Sequence, residues 1–284
     1  MKIMRHKAVT LIELLVVIAV IGMLVSIVLV SFKDTTDKAR LAKAKDFYAQ
    51  VSHALGAEAV GIWKFEEQTG IIAKDTSGYG NDGTLQNGPS WTSASDCGLG
   101  FGRCLDFAGN GAAIIVTDKP GIDFSQSFTI TAWVNLDRFG DPSASSCGDK
   151  RAMIVRKGAN SPGTVEFGTR GAGSDDFNFL VRTSALSWVS RGFGKAPLNK
   201  WHHISLSYDG NSNTIKAYLN GEITWSENVG ALATSTGNIS IGGGTPNCSS
   251  SFTDGRIDEV GIYQQALTFS QIQYLYAQGL PRHP

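Results

Sequence analysis

The chain has 284 residues, and 25 Lys and Arg balance 25 Asp and Glu to a formal net charge of +0. That balance leaves no electrostatic footprint for nucleic acid, and no glycine-rich phosphate loop runs from a strand pattern into a helix pattern. With 33 Gly, 8 Pro and four Cys, the composition agrees with an all-β sandwich built from short strands between turns.

The chain opens with a short basic leader, Met1 to Lys7, carrying Lys2, Arg5 and Lys7. An apolar run follows from Leu11 to Phe32, interrupted by a single carboxylate, Glu13. The run exceeds the ~20 residues that a helix needs to cross a hydrocarbon core. The basic flank places the N-terminus in the cytoplasm and everything after Phe32 outside. No small-residue cleavage site of the ordinary secretory kind ends the run. A carboxylate in a membrane helix costs roughly 2.5 to 3.5 kcal/mol at the centre and less near an end, so Glu13 is expected to have a partner and a purpose.

Lys7-Ala8-Val9-Thr10-Leu11-Ile12-Glu13 with its long hydrophobic continuation resembles the signal of type IV pilins and pseudopilins. Gly22 stands where that family places a glycine. The resemblance implies cleavage by a prepilin peptidase after Ala8 and methylation of Val9 as the mature first residue. The family prefers glycine and phenylalanine at these two positions, and often proline where this chain has Val30. Glu13 would then neutralise the new amine of a neighbouring subunit as helices pack out of water, since a buried charge is tolerated when paired. A plain membrane anchor is the competing reading.

Leader 1–8 and filament-core helix 9–32 are followed by an expected amphipathic continuation over 33–58. Leu41, Ala44, Tyr48, Val51 and Leu55 fall on one helical stripe, and Asp34 with Lys38 makes an i, i+4 pair. Gly56 and Gly61 bracket the end of the helix.

From residue 59 to 279 short alternating segments take over, with a tail at 280–284. Phe128, Ile130, Ala132 and Val134 alternate with Thr129, Thr131, Trp133 and Asn135, and Ile204, Leu206, Tyr208 and Ile215, Ala217, Leu219 repeat the period. Asn220-Gly221 is the strongest hairpin signal, because a type I′ turn requires positive φ at both central residues. Asp209-Gly210 marks another reversal. The predicted fold is mainly β: an N-terminal hydrophobic helix followed by an antiparallel sandwich.

Four stretches in order, Trp63-Lys64-Phe65-Glu66-Glu67 with Asp75 to Gly83, Ser127 to Val134, Trp201-His202-His203-Ile204, and Gly255 to Tyr263, resemble the bacterial laminin G-like, concanavalin A-type jelly roll. Leu267 to Ile272 would be its closing helix, with Thr268 as N-cap. The resemblance implies one structural calcium, held by Asp75, Asn81 and Asp258 with Asp82 nearby and carbonyls such as those of Gly78 or Gly80. The other reading of Asp75 to Gly83 is a tight turn in which Asp and Asn bond locally.

Four cysteines in an exported domain suggest two disulfides. Of three connectivities, Cys97 with Cys104 and Cys147 with Cys248 is favoured, because glycines let the short loop close.

The chemistry for catalysis is thin. The Glu-x-Asp-x-x-Glu strand of glycosidases on this fold is absent, and the adjacent Glu66 and Glu67 point to opposite faces, so no enzyme is expected. His202 and His203 read as strand residues, not as a catalytic base. Binding remains, with Trp188, Phe193 and Trp225 as candidate ligand contacts, although core packing is the commoner fate of any one aromatic.

The chain is thus expected to be a pilin-like filament subunit displaying a laminin G-like head for attachment to a surface, glycan or cell. Expected partners are other pilin-like subunits, prepilin peptidase, the inner membrane before assembly, and a glycan or surface-protein ligand. The alternatives are a pseudopilin of a type II secretion or DNA-uptake machine, and a membrane-anchored lectin that never polymerises.

Overall fold

A computed structural model describes residues 15, 43, 46, 49–93, 97, 102–119, 121–139, 151–158, 164–171, 174–195, 197–243 and 251–283. Ala8, Val9, Glu13, Cys147 and Cys248 lie outside these residues, as does the apolar run apart from Leu15. The chain divides into two units, Met1–Ser52 and His53–Pro284.

In the first unit, 15, 43, 46 and 49–52 are helical. The second unit begins in helix, with α1 running through residues 49–58. Leu55 is buried and Ser52, His53 and Ala54 are exposed, as one stripe requires; Leu41, Ala44 and Tyr48 lie outside the described residues.

Among the described residues sixteen strands follow: β1 (Ala59–Trp63), β2 (Ile72–Ala73), β3 (Gly83–Gln86), β4 (Ser90–Trp91), β5 (Leu105–Ala108), β6 (Ala113–Val116), β7 (Phe128–Leu136), β8 (Met153–Lys157), β9 (Val165–Thr169), β10 (Asp176–Arg182), β11 (Trp188–Lys195), β12 (Trp201–Asp209), β13 (Thr214–Leu219), β14 (Glu222–Asn228), β15 (Ile239–Ile241) and β16 (Asp254–Tyr263), closed by α2 (Phe269–Gly279). They form two eight-stranded sheets. The first runs β14-β13-β12-β7-β16-β5-β4 with β1 also on β16, and the second runs β11-β10-β9-β8-β15-β6-β3-β2.

The period of two read from the sequence decides which side chains meet between the sheets. Phe128, Ile130, Ala132 and Val134 of β7, Ile204, Leu206 and Tyr208 of β12, and Ile215 and Ala217 of β13 enter one core with Phe167, Phe177, Phe179 and Val181 of the second sheet. Phe124 stacks on Phe128 at 4.6 Å. Each fully buried side chain of this size contributes about 1.5 to 3 kcal/mol over its exposed state.

Asn220 and Gly221 join β13 to β14 with φ of 52° and 80°, as the hairpin signal required. Asp209 closes the β12–β13 reversal through its own carboxylate, accepting from the Asn211 N–H at 3.0 Å and the Ser212 hydroxyl at 2.8 Å. Thr268 caps α2 in a capping box with Gln271.

Strand β16 changes partner along its length. Asp254 to Ile257 pair with β5, and Val260 to Tyr263 pair with β1. The register shifts against β7 between Asp258 and Gly261, and Glu259 stands at φ 46°. A bulge at this point re-aims the side chains beside it, and Asp258 is the one it turns into a buried polar cluster.

Candidate functional site

The loop after β2 is built around the Asp75 carboxylate. Its Oδ1 accepts from the Ile62 N–H at 3.0 Å and the Ser77 N–H at 2.8 Å, and its Oδ2 accepts from the Ser77 hydroxyl and the Asn81 N–H, each at 2.8 Å. Asn81 donates its amide to the Val60 carbonyl at 2.7 Å, while its own carbonyl receives the Trp63 indole N–H at 3.0 Å. The loop is thereby zipped to β1.

Lysines complete it. Lys74 sits 2.6 Å from Asp82 and holds that carboxyl below the usual range, helped by the Asp75 N–H. Lys119 donates to the Gly80 carbonyl at 2.6 Å.

These residues do not fit the calcium expected of them. Asp75 is saturated by protein donors, Lys74 and Lys119 take up the oxygens of Asp82 and Gly80, and Asp258 is turned to other partners. Among the described residues no group of three or more His, Cys, Asp or Glu could hold a metal ion. The tight-turn reading describes the observed geometry.

Asp258 is 1% exposed and belongs to a cluster on the outer face of the first sheet. Its Oδ1 accepts from the Glu259 N–H at 2.8 Å, and its Oδ2 lies 2.9 Å from His283 Nε2 and 3.4 Å from the Arg282 guanidinium. Arg282 also binds Glu259 at 2.6 Å and pairs with Glu66. His283 stacks on Trp133 at 4.5 Å and meets Trp201 edge-on at 4.5 Å. The residues expected as a tail at 280–284 are therefore integral to the head up to His283, because they bond Asp258 and stack on Trp133. Burial pushes Asp258 up and pulls His283 down to about 4.

Glu66 faces Arg282 and accepts from the Arg103 N–H, whereas Glu67 accepts from the Lys74 N–H at 2.6 Å. They do point apart. His202 and His203 are both buried, on opposite faces of β12, and burial lowers both, His203 to about 3.

Cys97 and Cys104 form a disulfide with Cα atoms 5.8 Å apart. Thr92 braces it by donating to the Cys104 carbonyl at 3.0 Å and accepting from the Cys104 N–H at 3.2 Å.

The three candidate aromatics have three different fates. Phe193 is 3% exposed and stacks with Phe167 at 5.6 Å and Phe177 at 5.9 Å, so it is a core residue and out of reach of any ligand. Trp225 is partly buried against the core, edge-on to Phe179 at 5.7 Å, with Arg191 over its ring at 5.6 Å. Arg191 also clasps Glu227 at 3.0 and 3.1 Å and closes that side of the sandwich. Only Trp188 of the three faces water, at 45% exposure.

Trp188 stands on the outer face of the second sheet, opposite Arg182, whose guanidinium lies 5.7 Å from its ring centre. Cross-strand register carries this face inward from Trp188 and Arg182 to Ser190 and Leu180, then to Glu166 and Arg156. Glu166 is held between Arg151 at 3.3 Å and Arg156 at 3.2 Å, and Asn178 and Ser190 bond at 3.3 Å. Sequence reasoning missed Arg182 and Glu166, which carry no local signal; the i, i+2 spacing from Trp188 to Ser190 was the available clue. An exposed ring, a cation and a row of amide, hydroxyl and carboxylate groups can bind a polar ligand having one apolar face.

Residues 3–29 match the prokaryotic N-terminal methylation motif, and residues 108–273 match the Concanavalin A-like lectin/glucanases superfamily. Over 93 residues the chain is 36% identical to the type IV narrow pilus major component PilA5 of Thermus thermophilus, covering 33% of this chain and 75% of that protein. The methylation motif implies prepilin peptidase processing, membrane anchoring before assembly, and incorporation as a pilus subunit.

Solved structures share the sandwich. The binding domain of Paraclostridial Mosquitocidal Protein 1 superposes with a TM-score of 0.61 at 17% identity, covering 79% of this chain and 53% of that one. Domain 4 of AbnA, an extracellular arabinanase from Geobacillus stearothermophilus solved with arabinotriose, gives 0.58 at 19% identity, covering 77% of this chain and 98% of that one. The botulinum neurotoxin serotype D ligand-binding domain, solved with N-acetylneuraminic acid, gives 0.59 at 13%, covering 80% and 52%. The chain thus spans about half the length of the two toxin domains, and these likenesses speak for the fold. The chain belongs to the Concanavalin A-like lectin/glucanases superfamily and carries a type IV pilin methylation motif at its N-terminus.

Proposed function

We propose that this protein is a subunit of a type IV pilus-like filament whose head mediates attachment to a surface, glycan or cell, by binding and not by catalysis. The observation that carries the reading is the presence, in one chain, of a methylation motif at residues 3–29 and a lectin-class sandwich over 108–273. An assembly signal joined to a head with an exposed aromatic–cation pair suits display of a binding face on a polymer.

Glu13 has the assembly role in this reading, pairing with the Val9 amine of a neighbouring subunit in the low-dielectric filament core. The test is electron microscopy and a cell-attachment assay on cells expressing the full chain or Glu13→Ala. The reading expects filaments and attachment from the native chain, and neither from the variant despite normal membrane insertion. Normal filaments from Glu13→Ala, or attachment without filaments, would overturn it.

A further inference from the structure

The tip of the β10–β11 hairpin departs from the pattern of the other turns. Among the described residues, positive φ outside glycine occurs at Asn87, Asn199, Asn213 and Asn220, the residue type that tolerates it, and at Phe65, Glu259 and Leu186. Phe65 is held by the core and Glu259 by Arg282. Leu186, at φ 62°, is 64% exposed and has no such support.

The strained leucine sits on a rigid mount. Thr183 and Ser187 bond reciprocally, with the Thr183 N–H donating to the Ser187 carbonyl at 2.9 Å, and the Leu186 N–H donates to the Thr183 carbonyl at 2.8 Å. The strand base is tied from the side, as Ser184 donates to the Ala231 carbonyl at 2.8 Å and Ala233 to the Arg182 carbonyl at 2.9 Å. Strain that persists on a braced, exposed apex marks a position where function sets the residue.

Beside it stand Trp188 and Arg182. Arg182 makes no ion pair among the described residues, and its buried Nε has no hydrogen-bond partner. An unpaired guanidinium fixed against an indole favours an anionic group, since its planar fork binds carboxylate or sulfate in two-point fashion. The apolar display comprises a leucine and one indole face, the size of a sugar ring and far below the area of a stable protein interface. Ser190 and Asn178 continue the face with a hydroxyl and an amide group, beside Leu180.

Resting on the attachment reading above, we infer that the β10–β11 hairpin binds an acidic sugar, with Trp188 stacking on the ring, Arg182 engaging its carboxylate or sulfate, and Leu186 flanking it. The test is calorimetric titration of the full chain in detergent with oligogalacturonate and 3′-sialyllactose, against neutral galacto-oligosaccharide and lactose. At least one acidic sugar binds tenfold or more tightly than its neutral counterpart. Arg182→Gln abolishes that preference, Trp188→Ala weakens all sugar binding tenfold or more, and both retain the native melting temperature. Leu186→Asn also weakens binding while leaving the fold at least as stable, which a merely structural leucine would not do.

Equal affinity for acidic and neutral sugars, native affinity in Trp188→Ala and Arg182→Gln, or binding only to anionic lipid vesicles would overturn the inference. Sugar binding unaffected by these variants would leave the filament reading intact, whereas absent filaments would defeat that reading whatever the hairpin binds.

Discussion

His283 Nε2 lies 2.9 Å from Asp258 Oδ2, and its Nδ1 lies 2.9 Å from the Gly279 carbonyl. A carbonyl only accepts, so Nδ1 carries a proton, and a second proton lies between Nε2 and the carboxyl. Burial raises Asp258 and lowers His283, which favours the neutral pair: a protonated Asp258 donating to a neutral imidazole. Arg282 keeps a net charge nearby and answers Glu66 and Glu259.

An amide can replace a protonated carboxyl. Asp258→Asn is therefore expected to cost about 1 kcal/mol, and Asp258→Ala, which strands His283 and Arg282, about 3 kcal/mol or more. Urea unfolding of the two variants measures the difference, and equal losses would mean that the pair is ionic.

His203 gives the head its acid sensitivity. Burial, followed by the nearby His283, lowers it to about 3, so the folded state refuses a proton that the unfolded chain accepts near 6.5. A depressed histidine gives its full stability above about 6.5 and loses roughly 1.4 kcal/mol per unit as pH falls from there toward 3. His283 works in the same sense from about 6.5 to 4, whereas raised Asp258 works in the opposite sense. Denaturation at pH 7, 6 and 5 is expected to show falling stability in the native chain and a flatter profile in His203→Phe.

Gly279 ends α2 directly over the first sheet. A methyl group there would lie 2.1 Å from Trp133 Nε1, too close for either to stay. Gly279→Ala is expected to destabilise by about 1 to 3 kcal/mol through overpacking, seen as a lower melting temperature with the secondary structure unchanged. A native melting temperature would show that the helix end shifts freely.

The loop held by Lys74 and Lys119 is expected to ignore calcium. Adding excess chelator or millimolar calcium leaves the melting temperature of the head within about 1 °C, because only a ligand that binds the folded state shifts it. A stabilisation by calcium that Asp75→Asn removes would contradict the geometry described.

Much of this architecture is local in origin and therefore legible from sequence. The alternation in β7 sorts Phe128 to Val134 into the core, Asn220-Gly221 supplies two positive φ values, and Thr268 meets Gln271 three positions on. The site was harder to read, because its partners meet through register. Trp188 and Phe193 are an odd number of positions apart on one strand, so one faces water as the other enters the core. Asp258 finds His283 and Arg282 through a bulge at Glu259 that no periodicity announces. The aspartates of the 75–83 loop were legible as turn formers, but the lysines that complete the loop come from positions 74 and 119.

The central claim is that the N-terminal segment is processed as a pilin and carries the lectin-class head into a filament. The most direct test is mass spectrometry of the mature N-terminus after expression of the full chain beside a prepilin peptidase. The account predicts a chain that begins at methylated Val9, with residues 1–8 removed. An intact Met1 in the presence of active peptidase would contradict it and leave a tethered sandwich that binds without polymerising.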